Sequence, residues 1–246
     1  MSEQANLLNQ LQKLRLHGLM QALKEQIEMP SHYLEMDFEE RLGYLLQREV
    51  EERQQKRVRV LKSLARLRLS ASMESLDFTQ PGRLNRQEIL RLGSCEFIRR
   101  NQNLLITGPT GVGKTYLATA FAERAIQNGI MTRYVRASLL YQEFLEARNR
   151  GMYRKKLQEY QRIQFLLIDD FGLEKLNHQE ALDFLEVMDQ KTQTGSVAII
   201  TQISMSSWDK VIEEQALSEA ILDRFIHTAT QIHMKGESMR KITTTN

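Results

Sequence analysis

The 246-residue chain has a single cysteine, Cys95. That excludes an internal disulfide and any zinc module built on cysteine thiolates. No base partner for a catalytic thiol can be read in the sequence, so Cys95 is expected to be a small buried apolar residue. No run of about 18 apolar residues occurs, which argues against a transmembrane helix. There is no low-complexity tract. The first residues, "MSEQANLLNQLQK", lack the basic stretch, apolar segment and small-residue cleavage site of a signal peptide. With so little cysteine, this predicts a cytoplasmic protein with no membrane association. Acidic residues are missing from 53–69, "RQQKRVRVLKSLARLRL", although the whole chain carries a net charge of only +3.

What is present suits a soluble protein with one medium domain and one smaller one, at 41% hydrophobic and 26% charged residues. Leu8, Leu11, Leu16, Leu19, Leu23 and Ile27 recur at mostly three- and four-residue steps and predict a helix across 8–27. Pro30 ends that pattern. Asp37 and Glu40 have the spacing of a capping box for a second helix, with Phe38, Leu42, Leu45 and Leu46 as its buried stripe. This helix runs into the basic segment. Its cations, Arg53, Lys56, Arg57, Arg59, Lys62, Arg66 and Arg68, fit a solvated face whose stems cover a core. They also fit a phosphate-binding face for nucleic acid, toward which the missing carboxylates tip the balance. Residues 70–86 read as a linker with a turn at Pro81-Gly82 and Phe78 packing near it. The expected domains are a helical one over 1–75 and a second over 76–246.

From residue 87 strands and helices alternate. Strands are expected at 103–107, 131–136, 165–169, 196–201 and 229–234. Gly129 closes the helix after the first, and Ser138 is placed to cap the helix after the second. Such alternation predicts a parallel five-stranded sheet flanked by helices. Phosphate ligands then belong at the carboxyl ends of the strands.

"GPTGVGKT" at 108–115 follows the first strand and opens a helix. Gly108-x4-Gly113-Lys114-Thr115 is a complete P-loop pattern in its proper context. Gly108, Pro109, Thr110, Gly111, Val112 and Gly113 can turn successive N–H groups toward phosphate oxygens, Tyr116 follows, and the helix N-terminus adds a positive partial charge. Lys114 is expected on the β- and γ-phosphates of ATP, and the Thr115 hydroxyl on Mg²⁺. "FLLIDD" supplies the other half. Asp169, at the end of a buried strand, is placed to hold Mg²⁺ through water. Asp170 can orient or deprotonate the attacking water.

The P-loop and "LLIDDFG" pair, taken with "SLDF", "NLLITGPTGVGKTYLA", the spacing to Trp208, "AILDRFIH" and "KGESMRK", resembles the IstB family. These are ATP-dependent helper proteins of insertion-sequence transposition, within the initiator branch of the AAA+ ATPases, with helicase loaders of the DnaC type as close relatives. The likeness covers most of the chain. "DFG" is no kinase signature here, because no "HRD" loop accompanies it. The resemblance implies an AAA+ core, a sensor residue at Thr201 or Gln202, an arginine finger at Arg224 serving a neighbouring subunit, and a second sensor at Arg240. Only "KITTTN" follows Arg240, so no C-terminal lid is expected.

The resemblance also implies a homo-oligomer, ring or spiral, that forms on duplex DNA with ATP and engages a cognate transposase. ATP turnover is expected to be slow and stimulated by DNA or a partner. A second cationic cluster, Arg148, Arg150, Arg154, Lys155 and Lys156, falls where initiator-type ATPases carry a helix along the DNA path. No base-reading motif is visible, so contacts are expected to be mostly to the backbone and salt-dependent. Two alternatives stay open: a helicase loader for single-stranded DNA, and a nucleotide-gated scaffold that hardly hydrolyses ATP.

Overall fold

A computed structural model describes residues 3–79, 84–236 and 238. The chain divides into two compact units, 1–60 and 61–246. In the first, α1 (Glu3–Lys13) and α2 (His17–Glu28) replace the single helix expected over 8–27. Between them Arg15 takes a left-handed φ of 58°, and the Leu16 N–H closes the turn on the Leu11 carbonyl at 3.0 Å. The break is set by packing. Gly18 lies so close to α3 (Phe38–Ala65) that a Cβ there would meet the Arg48 carbonyl oxygen at 2.4 Å. The buried Glu49 carboxylate of α3 accepts the Gly18 and Leu19 N–H groups at 2.8 and 3.1 Å, capping α2 through space. Burial alone would raise the Glu49 pKa. The Arg53 guanidinium and these amides outweigh that and hold it below the usual carboxylate value.

The Asp37–Glu40 capping box forms, with both reciprocal bonds in place. The expected buried stripe does not. Phe38, Leu42 and Leu46 are exposed and Leu45 is half-buried. α3 faces α2 instead through Arg41 to Gln26, Tyr44 and Arg48 to Glu25, and Glu49.

The division at 60/61 comes earlier than the expected 75/76, because Leu67, Leu69, Ala71, Met73, Leu76 and Phe78 pack on the core of the second unit. The segment over 70–79 is thus part of that unit, with a short 3-10 turn at Met73–Ser75 capped by Ser72. The turn expected at Pro81-Gly82 lies outside the described residues.

The second unit continues with α4 (Arg86–Leu92), α5 (Glu96–Arg99), β1 (Leu104–Thr107), α6 (Lys114–Gln127), β2 (Thr132–Arg136), α7 (Ala137–Asn149), α8 (Tyr153–Gln161), β3 (Phe165–Phe171), α9 (His178–Thr194), β4 (Ser196–Thr201), a 3-10 turn Met205–Lys210, α10 (Gln215–Ile226) and β5 (Thr230–His233). The five strands are parallel in the order β2-β3-β4-β1-β5. One apolar cluster gathers α4, α5 and α6 on one face, and a second gathers α7 to α10 on the other. Gly129, at φ 74°, follows the end of α6 as expected. Ser138 is not a cap: α7 starts one residue earlier, behind Arg136, with no side-chain cap.

Strand order builds the site. β1, which feeds the P-loop, and β3, which carries the acidic pair, both flank β4. The carboxyl end of β4 therefore lies between them.

Two buried features tie these helices down. Lys191 of α9 donates to the Gln161 and Ile163 carbonyls at the end of α8. Burial pulls its pKa down to about 7. An aromatic row runs Tyr141–Phe184–Phe171–Trp208–Phe225, with centroid spacings of 6.4, 5.2, 4.5 and 5.6 Å.

Candidate nucleotide site

The loop between β1 and α6 is shaped by its glycines. Gly108 has φ 147°, and a Cβ there would sit 2.3 Å from the Met234 carbonyl oxygen. Gly113, at φ 95°, leads directly into α6. Only a residue without a side chain takes both positions without strain. Lys114 is buried, and its ammonium donates to the Gly108 and Pro109 carbonyls at 2.8 and 2.9 Å.

Asp169 is 2% exposed and takes donors on both oxygens. Thr115 Oγ1 and the Tyr134 hydroxyl donate to Oδ2 at 2.9 and 2.8 Å, and the Asp170 N–H donates to Oδ1 at 2.8 Å. Burial first, and then the Asp169 charge, push the Tyr134 pKa up to about 12, so the phenol is a donor at neutral pH. Asp170 lies where the β3–β4 register slips, and its φ is 59°. For a non-glycine residue that conformation costs on the order of 1–3 kcal/mol. It separates the two carboxylates: Asp169 stays buried, while Asp170 reaches the cavity and pairs with Arg136 at 3.6 Å.

Thr201 and Gln202 divide their work. The Thr201 hydroxyl donates to the Phe171 carbonyl at 2.7 Å and accepts the Ile203 N–H at 3.2 Å, holding β4 to the end of β3. Gln202 Oε1 accepts from Thr110 Oγ1 at 2.8 Å, which leaves its amide nitrogen as the donor at the cavity.

The cavity measures about 240 Å³. Leu69, Thr110, Gly111, Gly113, Lys114, Thr115, Tyr116, Asp169, Asp170, Thr201 and Gln202 are among the residues that line it. The sequence reading missed Leu69, Tyr134 and Arg136. The alternation in "RYVR" at the end of a strand beside β3 was the available signal for the last two, since residues two apart share a face. A second cavity of about 330 Å³ shares Gly113 and Tyr116 with the first and is walled by Leu76, Leu84, Leu117, Met234 and Asp77. A mainly apolar slot beside a phosphate loop suits a flat nucleobase. Of its walls the sequence reading had singled out Gly113 and Tyr116, the latter bonded to Ser75 at 2.7 Å.

The oxygen-only pair of one hydroxyl and one carboxylate fits Mg²⁺, which keeps several waters and binds through one or two carboxylates plus phosphates. No cluster of three acidic, histidine or cysteine side chains that would suggest another metal occurs among the described residues.

Arg224, on α10, stands apart from these cavities and is about one-third exposed. It bonds to Asp189 of α9 and to the Ala220 carbonyl. Arg240 lies outside the described residues. Most of the cations proposed for nucleic acid have partners. Arg53 pairs with Glu49, Arg59 with Glu52, Lys62 with Glu123, Arg66 with Glu143 and Arg150 with Glu146. Arg148 pairs with Asp183 and lies over the Tyr153 ring, and Lys156 bonds to Glu143 and Glu159. Arg57 is engaged as well, and Arg68 lies beside the Tyr134 hydroxyl. The carboxylates missing within 53–69 are supplied from elsewhere in the chain. Arg53, Arg59, Lys62, Arg66 and Arg150 nonetheless remain exposed, at 53–72% of their side-chain surface. Ion pairs that open are weak and exchangeable.

A five-stranded parallel sheet with a P-loop after β1 and an acidic pair ending β3 defines a P-loop nucleotide-binding protein of the AAA+ kind. Residues 9–246 match the family described as IstB-like ATP binding protein, and the chain belongs to that family. It is 37% identical over 201 residues to an ATP-binding protein of insertion sequence IS1162 from Pseudomonas fluorescens, covering 81% of this chain and 87% of the relative. With an insertion-sequence ATP-binding protein of Sinorhizobium fredii it shares 32% identity over 95% of both chains. Among solved structures it resembles DnaI (TM-score 0.58, 20% identity, 71% of this chain and 94% of that one). It also resembles the DnaC helicase loader (TM-score 0.54, 18% identity, 65% and 95%). At such identities these two likenesses concern the fold alone. No helix among the described residues is long and apolar enough to cross a membrane.

Proposed function

We propose that this protein is an ATP-hydrolysing assembly switch of insertion-sequence transposition, forming an oligomer on duplex DNA with ATP and engaging a cognate transposase. The observation that carries the reading is the joining of the P-loop, through the Thr115–Asp169 bond, to a strained, cavity-facing Asp170. Lys114 and the loop amides hold the phosphates. Thr115 and Asp169 hold Mg²⁺, which when bound neutralises phosphate charge. Asp170 orients and deprotonates the attacking water, and the Gln202 amide donates to the terminal phosphate. Arg224 reaches the site of a neighbouring subunit, and Arg240 is proposed as a further sensor. Because stabilisation of the transition-state charge then depends on a subunit boundary, hydrolysis follows assembly, and turnover is slow without DNA or a partner. Exposed cations, among them Lys56, Arg154 and Lys155, contact the DNA backbone. The insertion-sequence relatives at 32–37% identity favour this reading over that of a helicase loader.

The test is particle mass measured on duplex or single-stranded DNA with ATP or ADP. ATP-dependent assembly on duplex DNA is expected for the wild type. Asp170→Asn should still assemble while hydrolysis falls about 100-fold or more. Lys114→Ala should fail to assemble. Assembly on single strands only would move the protein to the loader class, and assembly of Lys114→Ala would sink the switch.

A further inference from the structure

Asp169 sits between three donors, of which Thr115 belongs to the P-loop pattern and the Asp170 amide is its own neighbour. The third, the Tyr134 hydroxyl, comes from another strand. Tyr134 belongs to β2, two residues before Arg136, which is in register with Asp169. Its ring is 6% exposed and packs in the apolar cluster around α6. Its oxygen lies 2.8 Å from Asp169 Oδ2, an atom already bonded to Thr115 at 2.9 Å.

A carboxylate offers about four acceptor positions. Three are filled here: two on Oδ2 and one on Oδ1. The remaining position is on Oδ1. With both oxygens tied, the carboxylate plane cannot turn about its bond to the chain. Of the other two ties, one comes from Thr115 at the start of α6, directly after the P-loop, and one from the Asp170 amide at the end of β3. The Tyr134 bond is anchored in the sheet and holds the plane independently of the P-loop.

We propose that Tyr134 is a positioning residue for the metal site, fixing the Asp169 carboxylate so that its remaining acceptor position on Oδ1 is offered to the water shell of Mg²⁺. The inference rests on the reading of Thr115 and Asp169 as the metal-holding pair. Partners of this kind around a metal site typically carry 10–100-fold in metal affinity. Removing the hydroxyl leaves Oδ2 with Thr115 as its one donor, so the carboxylate is held less firmly and only by groups of the nucleotide site. Metal affinity then falls, while nucleotide affinity without metal stays as it was.

The experiment uses the full-length protein, a fluorescent ATP analogue and MgCl₂. The Mg²⁺ concentration that half-saturates the metal-dependent gain in analogue affinity is measured for the wild type, Tyr134→Phe and Thr115→Ala. Phe keeps the ring that packs in the core, and thermal melting in EDTA checks that the fold is intact. For Tyr134→Phe, a midpoint raised about tenfold with unchanged affinity in EDTA is expected. A midpoint within twofold of wild type overturns the role of Tyr134. A purely structural role would lower melting and weaken analogue binding in EDTA without moving the midpoint. Thr115→Ala separates the two levels. If it shifts the midpoint and Tyr134→Phe does not, only the present inference fails. If neither shifts it, the metal-site reading fails as well.

Discussion

Lys191 is an ammonium surrounded by carbonyls, with burial lowering its pKa to about 7. In the unfolded chain a lysine titrates near 10.4. Between those values the unfolded state binds more protons than the folded one, so stability rises with pH across about 7 to 10. Below that window both states are protonated and the burial penalty is felt in full. Lys191→Met, of similar length, should remove this slope, which is at most about 1.4 kcal/mol per pH unit for one proton. Denaturant unfolding of wild type and variant at half-unit pH steps reads the difference. A difference curve that is flat from pH 7 to 10 would show that Lys191 stays charged in the folded protein. The sequence held no hint of this site, since "DQKTQ" reads as an exposed helix end.

Among the elements, α2 shows how packing overrides local preference. Glycine in a helix usually costs up to about 1 kcal/mol relative to alanine, so Gly18→Ala would stabilise a free helix. Here the added carbon meets the Arg48 carbonyl at 2.4 Å and pushes α2 away from the Glu49 cap. The expected result is a loss of about 1–3 kcal/mol, read from chemical denaturation, and a gain in stability would contradict the packing described. The same contrast sets what could be read beforehand. β1, α6, β3 and β4 were legible because glycine spacing and short apolar runs are local signals, and the P-loop and acidic pair came with them. The break at Arg15, the exposure of Phe38 and Leu42, and the partners of the basic residues depend on where distant segments meet. No spacing rule within one segment reports that. The apolar slot beside Tyr116 is likewise assembled from pieces as far apart as Leu76 and Met234.

For the whole molecule, the proposed division of labour between subunits makes a distinct claim. If Arg224 serves a neighbour, Arg224→Ala keeps an intact Asp170 and Asp170→Asn keeps an intact Arg224. Each should hydrolyse ATP poorly alone, by about 100-fold or more. Mixed together they should regain up to about a quarter of wild-type activity at the boundaries where both intact groups meet, an estimate that assumes random mixing of subunits whose sites act independently. Steady-state phosphate release from the mixture checks this, and activity no greater than the average of the two variants would sink the claim that Arg224 acts across a subunit boundary.

The aromatic row adds a physical link between those two halves. Phe171 follows Asp170, Phe225 follows Arg224, and Trp208 lies against both rings. It is also the only tryptophan of the chain and is fully buried. One indole chromophore thus lies at the junction between the end of β3, which carries Asp170, and the helix that carries Arg224, the residue proposed to serve a neighbouring subunit. Its emission, excited at the red edge where tyrosine is silent, gives the chain an intrinsic optical gauge of how firmly those two ends are coupled, with no label attached.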